Sequence, residues 1–320
     1  MKRFFSIGEA LIDMIPSKTG VDLKHVPSFT RTAGGAPANV CACVAKQGVE
    51  SRFIGMLGMD AFGDYLVDMM QQAGINTDYV LKTNKANTSL AFVSLKEDGE
   101  REFSFYRKPG ADMLLDKNDI KDDWFNDGDF LHFCSVDLIE APVKYAHKEA
   151  IDRVKSKKGT IIFDPNLRLP LWDDLHELKN TVLDFIPYAD ILKISDNELE
   201  FITGTTNIKK AATMMFKKGV KIFIYTMGSK GSRVITQSVD VTCDAYKVKA
   251  IDATGAGDAF IGCFISGIIK SDVDIENLDK ETVTNLLTKS NACGAIVATK
   301  HGAIKSMPTS EDVDAFIKAY

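Results

Sequence analysis

The sequence lacks several features that would assign it to a class at once. No stretch approaches the roughly 18 consecutive apolar residues of a membrane-spanning helix, and the apolar start of the chain is interrupted by Glu9 and Asp13 with no cleavage site after it. The six cysteines lie in apolar segments without a C-x-x-C spacing. A zinc site is therefore not expected. We expect reduced, buried thiols in a cytoplasmic protein instead.

An excess of positive charge is also absent. The chain has 39 Lys and Arg against 44 Asp and Glu, a net charge of −5. Surfaces that bind nucleic acid are normally basic, so a polynucleotide partner is not expected, although a locally positive pocket for a small anion remains compatible with this charge. The P-loop pattern G-x-x-x-x-G-K-[ST] occurs nowhere, and no acidic residue stands where a Rossmann fingerprint requires it. A dinucleotide-dependent oxidoreductase is thereby disfavoured.

Short apolar runs alternate with amphipathic stretches along most of the 320 residues. The runs predict strands at residues 4–7, 52–54, 130–134, 160–163, 191–194, 221–225, 232–236 and 239–244. The amphipathic stretches predict helices at residues 36–48, 62–73, 141–157, 174–186, 197–202, 207–217, 256–269, 281–298 and 310–318. This alternation predicts a three-layer α/β/α sandwich with a mostly parallel central sheet, whose ligands bind at the carboxyl ends of the strands.

Two segments break this rhythm, at about residues 11–31 and 78–107. Both show period-2 alternation and turn signals, and residues 96–99 (Lys-Glu-Asp-Gly) predict a hairpin turn. We expect a small separate β-sheet here, inserted as a lid. Phe103 and Phe105 fall on one face of it, where they either close over a ligand or pack against the lid or a dimer partner.

The strongest chemical signal is the run Asp252-Ala-Thr-Gly255-Ala-Gly257-Asp258, followed by an apolar helix. The glycines allow a tight turn, and the free N–H groups of the first helical turn form an anion site. A carboxylate at Asp258 beside such a site suits a base that accepts a hydroxyl proton during phosphoryl transfer. A helix cap and a plain turn would explain the same residues, and the residues alone leave both interpretations open.

The run resembles the second signature of the ribokinase (PfkB) family of carbohydrate kinases. The first signature of that family is similar to residues 34–40 (Gly-Gly-Ala-Pro-Ala-Asn-Val) and 53–63. The similarity extends from Gly8 to Ala303, and residues 164–172 (Asp-Pro-Asn-Leu-Arg-Leu-Pro-Leu-Trp) are most similar to the fructokinase members. The resemblance implies one ribokinase-like kinase domain over residues 1–320.

The resemblance also implies roles for individual residues. Asp258 would be the base, with Gly255, Ala256, Gly257 and Arg168 around the transferred phosphoryl group. The sugar would be held by Asp13, Gly34, Gly35, Asn39, Phe105, Arg107, Asn166 and Arg168. ATP would contact Lys193, Asn197, Thr226, Gly228, Ser229, Gly231, Gly255, Gly257 and Asn291. Mg²⁺ would be bound through water by Asn197 and Glu200, and K⁺ by Asp252, Thr254, Val297, Gly302 and Ser306.

These implications predict an enzyme that phosphorylates the primary hydroxyl of a sugar with ATP and Mg²⁺, and with K⁺ as an activator. D-fructose is the expected acceptor. Alternatives are 2-keto-3-deoxygluconate, a riboside such as aminoimidazole riboside, or a non-catalytic sugar-binding regulator on the same fold. Sugar and ATP are the expected partners, with a homodimer formed through the lid and neither nucleic acid nor membrane involved.

Overall fold

The computed structural model describes residues 2–95 and 101–320. Its strands are β1 Phe4–Ile7, β2 Leu11–Pro16, β3 Phe29–Gly34, β4 Ser51–Gly58, β5 Val80–Thr83, β6 Leu90–Leu95, β7 Arg101–Tyr106, β8 Phe130–Phe133, β9 Thr160–Phe163, β10 Ile191–Ser195, β11 Ile222–Thr226, β12 Ser232–Ile235 and β13 Asp240–Cys243. Its α-helices are α1 Ala36–Lys46, α2 Ala61–Gln72, α3 Pro142–Ser156, α4 Leu175–Phe185, α5 Asp196–Thr203, α6 Ile208–Phe216, α7 Ala256–Ser271, α8 Lys280–Ala298 and α9 Ser310–Ala319.

Nine strands form one large sheet in the order β13-β12-β11-β10-β9-β8-β1-β4-β5. All neighbours from β11 to β5 pair in parallel, whereas β12 and β13 form an antiparallel edge. Parallel pairing follows from the alternation of buried apolar strands with helices, because each helix carries the chain back across the sheet. The predicted mostly parallel sheet is confirmed.

The helices cover both faces of this sheet. Alternate residues of one strand point to opposite faces, so Phe4 joins the core beneath α1, α7 and α8 while Phe5 joins the core beneath α3 and α4. Both phenylalanines are fully buried. The three-layer sandwich predicted from the sequence is therefore confirmed. None of the helices in the described parts of the chain is long and apolar enough to span a membrane.

A second sheet of four strands, in the order β3-β2-β6-β7, forms the lid. It differs from the predicted segments in two respects. β5 falls within the interval 78–107 but pairs with β4 in the large sheet, and β3 continues to Gly34. β5 follows α2, and the short crossover returns the chain beside β4 before it enters the lid. The predicted turn at residues 96–99 lies outside the described residues.

Asp60 shows how local sequence fixes one entry to the lid. Its side chain caps α2 by accepting hydrogen bonds from Phe62 N (3.0 Å) and Gly63 N (2.8 Å). The same carboxylate accepts hydrogen bonds from the backbone and hydroxyl of Thr88, which lies just before β6. One residue therefore fastens a helix start to a lid strand.

We predict that Asp60→Ala lowers the free energy of unfolding by about 2 kcal/mol, the upper range for loss of a helix cap, because the contacts to Thr88 are lost with it. Asp174→Ala, which removes the cap of α4 and its bond to His176 N, is the matched control and should cost about 1 kcal/mol. Urea denaturation measures both, and equal losses would contradict the additional role of Asp60.

Candidate active site

A glycine turn opens α7 at the carboxyl-end edge of the large sheet. Gly255 precedes the helix with a φ of 81°, in the left-handed region that favours glycine. A Cβ at Gly255 would lie 2.7 Å from Cβ of Ala303, so close packing also excludes a side chain. The first N–H groups of a helix have no partner within it, and Gly257 is exposed. The N–H of Ala256 donates to the carbonyl of Ala253 at 3.2 Å, so the donor that the turn presents at an accessible position is the N–H of Gly257.

Asp258 lies in the first turn of α7, and its side chain is buried. Asn39, on α1, donates from Nδ2 to Asp258 Oδ2 at 2.8 Å. Asn166, in the loop after β9, lies with Nδ2 3.4 Å from Asp258 Oδ1. Both carboxylate oxygens are thus oriented by amides from two other parts of the chain.

Opposing effects act on the pKa of Asp258. Burial raises the pKa, while the hydrogen bond from Asn39 and the charges of Lys193 and Arg168 lower it. The net result is a pKa above the ordinary value for aspartate. A raised pKa makes the carboxylate a better proton acceptor.

A buried ion pair lies behind the glycine turn. Nζ of Lys193, at the carboxyl-end half of β10, is 2.7 Å from Oδ2 of Asp164, the residue after β9. A Cβ placed on Gly257 would be 3.5 Å from the same nitrogen, so the ammonium group lies directly beside the turn. Burial lowers the pKa of Lys193, but the charges of Asp164, Glu198 and Asp258 raise it by more. The pKa is therefore above the ordinary value for lysine, and Lys193 remains charged.

Asp13 reaches the site from the lid. Gly34 lies against its carboxylate so closely that any side chain at position 34 would collide with Asp13 Oδ2. Burial raises the pKa of Asp13 to about 6; Arg168 lowers it, while Asp252 and Asp258 raise it. Asp13 is therefore within electrostatic range of the glycine turn.

The register of the lid sheet aligns Asp13 with Phe105. Asp13 pairs with Thr32 of β3 and Ala91 of β6, and Ala91 pairs with Phe105 of β7. Directly opposed residues point to the same face of a sheet. The side chains of Asp13 and Phe105 consequently lie on the same face of the lid sheet.

The loop after β9 carries Arg168, whose charge acts on both Asp13 and Asp258. Arg168 is exposed and donates from Nη1 to Oδ1 of Asn166 at 2.6 Å. Asn166 has a φ of 46°, a left-handed conformation that asparagine tolerates better than most residues. Glu198 fixes the loop by accepting from Leu167 N at 2.7 Å.

Four of the predicted nucleotide residues lie between β11 and β12. Thr226 ends β11, Gly228 and Ser229 are exposed in the turn that follows, and buried Gly231 ends that turn before β12. A side chain at Gly231 would collide with the carbonyl of Cys243. Asn291 is buried, with its amide bonded to Ser232 Oγ at 2.8 Å and to the carbonyls of Cys243 and Asp244. It fastens the segment after β13 beside the turn.

The residues predicted for cations fall into two groups. Asn197 and Glu200 are exposed in the first two turns of α5, after β10. Asp252 and Gly302 lie together: Asp252 Oδ1 accepts from Thr254 N at 2.9 Å, and Oδ2 lies 3.5 Å from Gly302 N. The carbonyl of buried Val297 accepts from Lys300 N, and Ser306 Oγ donates to His301 O.

Arg107 is the prediction that the structure places differently. Its guanidinium is buried and ion-paired with Asp112 at 2.5 Å and with Asp137. Sequence reasoning assigned Arg107 to the sugar because a loop arginine is suited to anions. In the structure the carboxylates of the protein itself occupy the nitrogens Nε and Nη2.

Comparison with known proteins accords with this geometry. The family described as pfkB family carbohydrate kinase matches residues 1–310. The chain belongs to the pfkB family of carbohydrate kinases.

Individual relatives of the kinase are similar over nearly their whole length. The Arabidopsis thaliana protein named probable fructokinase-4 is 38% identical over 98% of this chain and 96% of its own. A fructokinase from Xylella fastidiosa, solved with bound ATP, superimposes with a TM-score of 0.89 at 32% identity and covers 100% of this chain and 99% of that one. A fructokinase from Vibrio cholerae O395, solved with fructose, ADP and calcium, has a TM-score of 0.89 at 33% identity, with 99% of both chains covered.

Sequence reasoning missed several residues of the kinase that hold the site in place. Asp164 was part of a recognised motif but received no role, because its partner Lys193 is 29 residues away on a neighbouring strand. Glu198 was readable, since Ser195 and Glu198 form the S-x-x-E capping box that starts α5. Its second bond, to Leu167 N, depends on the fold.

The kinase also has a cavity of about 1170 Å³ at the opposite edge of the sheet. Its lining includes Lys2, Val49 and Lys157, which precede β1, β4 and β9. The cavity is therefore at the amino ends of the strands, away from the glycine turn, and belongs to a different part of the kinase.

We predict that Asn39→Leu moves the acidic limb of kcat/KM to higher pH by about 1–2 units. A hydrogen bond to a charged group is worth about 1.5–3 kcal/mol, and its loss removes an interaction that lowers the pKa of Asp258. Deprotonated Asp258 is then reached only at higher pH. The pH profile of kcat/KM measures the shift.

Gln47→Leu is the matched control, because buried Gln47 ends the same helix and its amide bonds Pro308 O, away from the site. It should reduce thermal stability without moving the pH profile. An unchanged profile in Asn39→Leu would contradict the role given to the Asn39 hydrogen bond.

Proposed function

We propose that the kinase transfers the γ-phosphoryl group of ATP to the primary hydroxyl of D-fructose, which yields fructose 6-phosphate. The observation that carries the proposal is the carboxylate of Asp258 in the first turn of α7, which accepts a hydrogen bond from Asn39 and lies next to exposed Gly257. Fructose is supported by the names of the relatives and by the fructose-bound neighbour.

Asp258 acts as the general base. Its Oδ atom accepts the proton of the primary hydroxyl while that oxygen attacks the γ-phosphorus and ADP leaves. Asn39 and Asn166 hold the carboxylate in one orientation. Burial restricts water around the base, and this favours proton transfer from the sugar over transfer from solvent.

The negative charge on the transferred phosphoryl group is balanced by three features. The N–H groups of Gly255 and Gly257 at the start of α7 are proposed to donate to it, while the N–H of Ala256 donates to the carbonyl of Ala253 at 3.2 Å. Lys193 lies beside that turn with its charge maintained by Asp164. Arg168 adds an exposed cation from the acceptor side, because its charge acts on both Asp13 and Asp258.

The charges around the acceptor favour a neutral sugar over a keto acid. Asp13 and Asp258 supply two carboxylates that suit adjacent hydroxyls. A substrate such as 2-keto-3-deoxygluconate brings a further carboxylate, which needs a free cation. Of the two arginines predicted for this role, Arg107 is buried between Asp112 and Asp137, and Arg168 is assigned to the transferred phosphoryl group.

ATP is proposed to lie along the turn between β11 and β12. Thr226, Gly228, Ser229 and Gly231 provide the backbone and hydroxyl groups for its phosphates and ribose. Asn291 does not contact ATP directly in this proposal. It holds the end of β13 and the residue after it by donating to the carbonyls of Cys243 and Asp244. Its contribution is then to shape the adenine side of the groove.

The residues present fit a divalent and a monovalent cation. Asn197 and Glu200 offer oxygen atoms at an exposed helix start with room for water, which suits Mg²⁺. Mg²⁺, when bound, neutralises charge on the phosphates. Hydrogen bonds from Thr254 and Gly302 lower the pKa of Asp252 despite its burial, and the carboxylate is ionised.

A set of oxygen ligands suited to K⁺ is proposed around the carboxylate of Asp252. It comprises that carboxylate, the carbonyls of Thr254, Val297 and Gly302, and nearby Ser306. The site would steady the glycine turn, because Ala303 packs on Gly255.

A homodimer through the lid stays a prediction, for which the lid offers the aromatic side chains of Phe29, Phe92 and exposed Tyr106. A cytoplasmic location also stays a prediction.

An acceptor panel tests the proposed function. ADP release is measured with fructose, 2-keto-3-deoxygluconate, ribose, adenosine and aminoimidazole riboside, each with ATP and Mg²⁺ in K⁺ or Na⁺ buffer. We expect the highest kcat/KM with fructose and faster turnover in K⁺. Turnover of a riboside without turnover of fructose would overturn the assignment of fructose as acceptor. If none of the acceptors supports ADP release, a sugar-binding regulator is favoured.

We predict that Asp258→Asn reduces kcat by about 10²–10⁴-fold, the usual contribution of a general base, and changes the affinity for fructose little. Asp272→Asn is the matched control, because Asp272 ends the same helix at its exposed end and pairs with Lys2. It should retain wild-type kcat. Rapid-quench turnover and calorimetric fructose binding give both quantities, and near-normal kcat in Asp258→Asn would exclude it as the base.

A further inference from the structure

The lid is joined to the body of the kinase by four short chain crossings. They are residues 8–10 before β2, residue 35 after β3, residues 84–89 before β6 and residues 107–110 after β7. Any change in the angle between the lid and the large sheet must alter backbone at these four places. Interactions that join the crossings to each other therefore determine where the lid rests.

Hydrogen bonds to buried carboxylates connect the crossings in pairs. Glu9 Oε1 accepts from Ala36 N at 3.2 Å, which links the first crossing to the second. Ser89 Oγ donates to Oδ1 of Asp112, a residue just beyond the fourth crossing, so the third and fourth are linked as well. Ala111 N also donates to Asn87 O at 2.9 Å.

Arg107 connects the lid to the body at the centre of this group. It follows β7 directly and donates from Nε to Asp112 at 2.5 Å and from Nη2 to Asp137, which lies beyond β8 of the large sheet. The charge of Arg107 also acts on Glu9, whose pKa burial raises to about 7. Glu9, Arg107, Asp112 and Asp137 are all buried, and we call them the hinge cluster.

The hinge cluster is not a simple ion pair, because it contains three acidic side chains and one arginine. One guanidinium contacts two carboxyl groups, those of Asp112 and Asp137, and its charge also acts on Glu9. Among the described residues, Glu9 Oε2 and Asp137 Oδ2 are buried without a hydrogen-bond partner. Buried ion pairs seldom add net stability over an apolar core, but removal of one member is strongly unfavourable. Such a cluster holds its members in one geometry rather than strengthening the fold.

Three acceptor-side residues are attached to the segments that the cluster joins. Asp13 follows Glu9 by four positions, Asn39 follows Ala36 by three, and Phe105 precedes Arg107 by two. A displacement of about 1 Å at reacting groups is enough to reduce a rate substantially. The position of the hinge cluster is thereby transmitted to the groups that face the sugar.

We propose that Arg107 is a positioning residue which, through Asp112 and Asp137, fixes the lid at the angle that places Asp13 and Phe105 over the acceptor. The inference rests on the proposed phosphorylation of a sugar between lid and glycine turn. It gives Arg107 a role that requires no contact with the sugar. The role also explains why an arginine predicted to bind an anion is enclosed by carboxylates.

The test compares Arg107→Lys and Asp137→Asn with Asp129→Asn. Buried Asp129 is the matched control: it accepts a hydrogen bond from the partly buried Arg3 at 2.6 Å, and the two residues precede β8 and β1 at the far edge of the sheet. For the two hinge variants we expect the KM for fructose to rise about 10-fold, with the KM for ATP within about 2-fold of wild type. The control should lose thermal stability without either change.

Hydrogen exchange of the intact kinase without substrate provides a second, independent measurement. We expect amides of β2 and β3 to exchange at least about 10-fold faster in both hinge variants, while α3 and β9 remain as in wild type. This result does not require fructose to be the acceptor. If wild type fails to use fructose, the acceptor proposal fails and the exchange data still decide the hinge.

Two outcomes would overturn the hinge role. One is lid exchange in both hinge variants no faster than in Asp129→Asn. The other is a raised KM in Arg107→Lys with wild-type KM and exchange in Asp137→Asn, which would indicate that Arg107 contacts the sugar directly.

Discussion

Asp258 must remain an anion beside a site for a polyanion. A carboxylate repels phosphate, yet the proposed chemistry needs the two within a few ångströms of each other. In the proposed arrangement the two requirements are separated: Asn39 and Asn166 bond the carboxylate, while the helix start and Lys193, which lies beside the glycine turn, are assigned to the phosphoryl group. Because the cation Lys193 is itself buried, it in turn requires Asp164. The arrangement of β9, β10, α1 and α7 follows from these pairings.

The lid adds a constraint of a different kind. A small sheet that covers a ligand must be movable as a body and still return to one position. Four chain crossings give it freedom, and the buried carboxylates around Arg107 limit that freedom. The lid also carries Asp13, whose carboxylate fits only because Gly34 lacks a side chain. The residues proposed to contact the substrate and those proposed to set the lid position are therefore close in sequence: Glu9 precedes the strand of Asp13, and Arg107 follows the strand of Phe105.

Much of the architecture could be predicted because it is written in local patterns. β1 and β9 have the predicted bounds, and α7 begins at the predicted Ala256, since apolar runs and a glycine turn are signals within a few residues. β5 was assigned to the lid, since its pairing with β4 is not encoded in its four residues. The glycine turn is predicted to be an anion site from its own residues, and this stays a prediction, whereas Arg107 was assigned to the sugar because nothing near it in the sequence indicates Asp137, 30 residues away.

The sequence by itself determined the class of fold, the family and the turn at Asp252–Asp258, because periodicity, glycine spacing and a charged residue at a helix start act over short distances along the chain. Only the tertiary structure decided which charges meet. Lys193 with Asp164, Asn39 with Asp258 and Arg107 with Asp112 and Asp137 are joined by strand order and by the lid crossings. The energy of a charged group depends on burial and on its nearest partner, and both are properties of the folded chain.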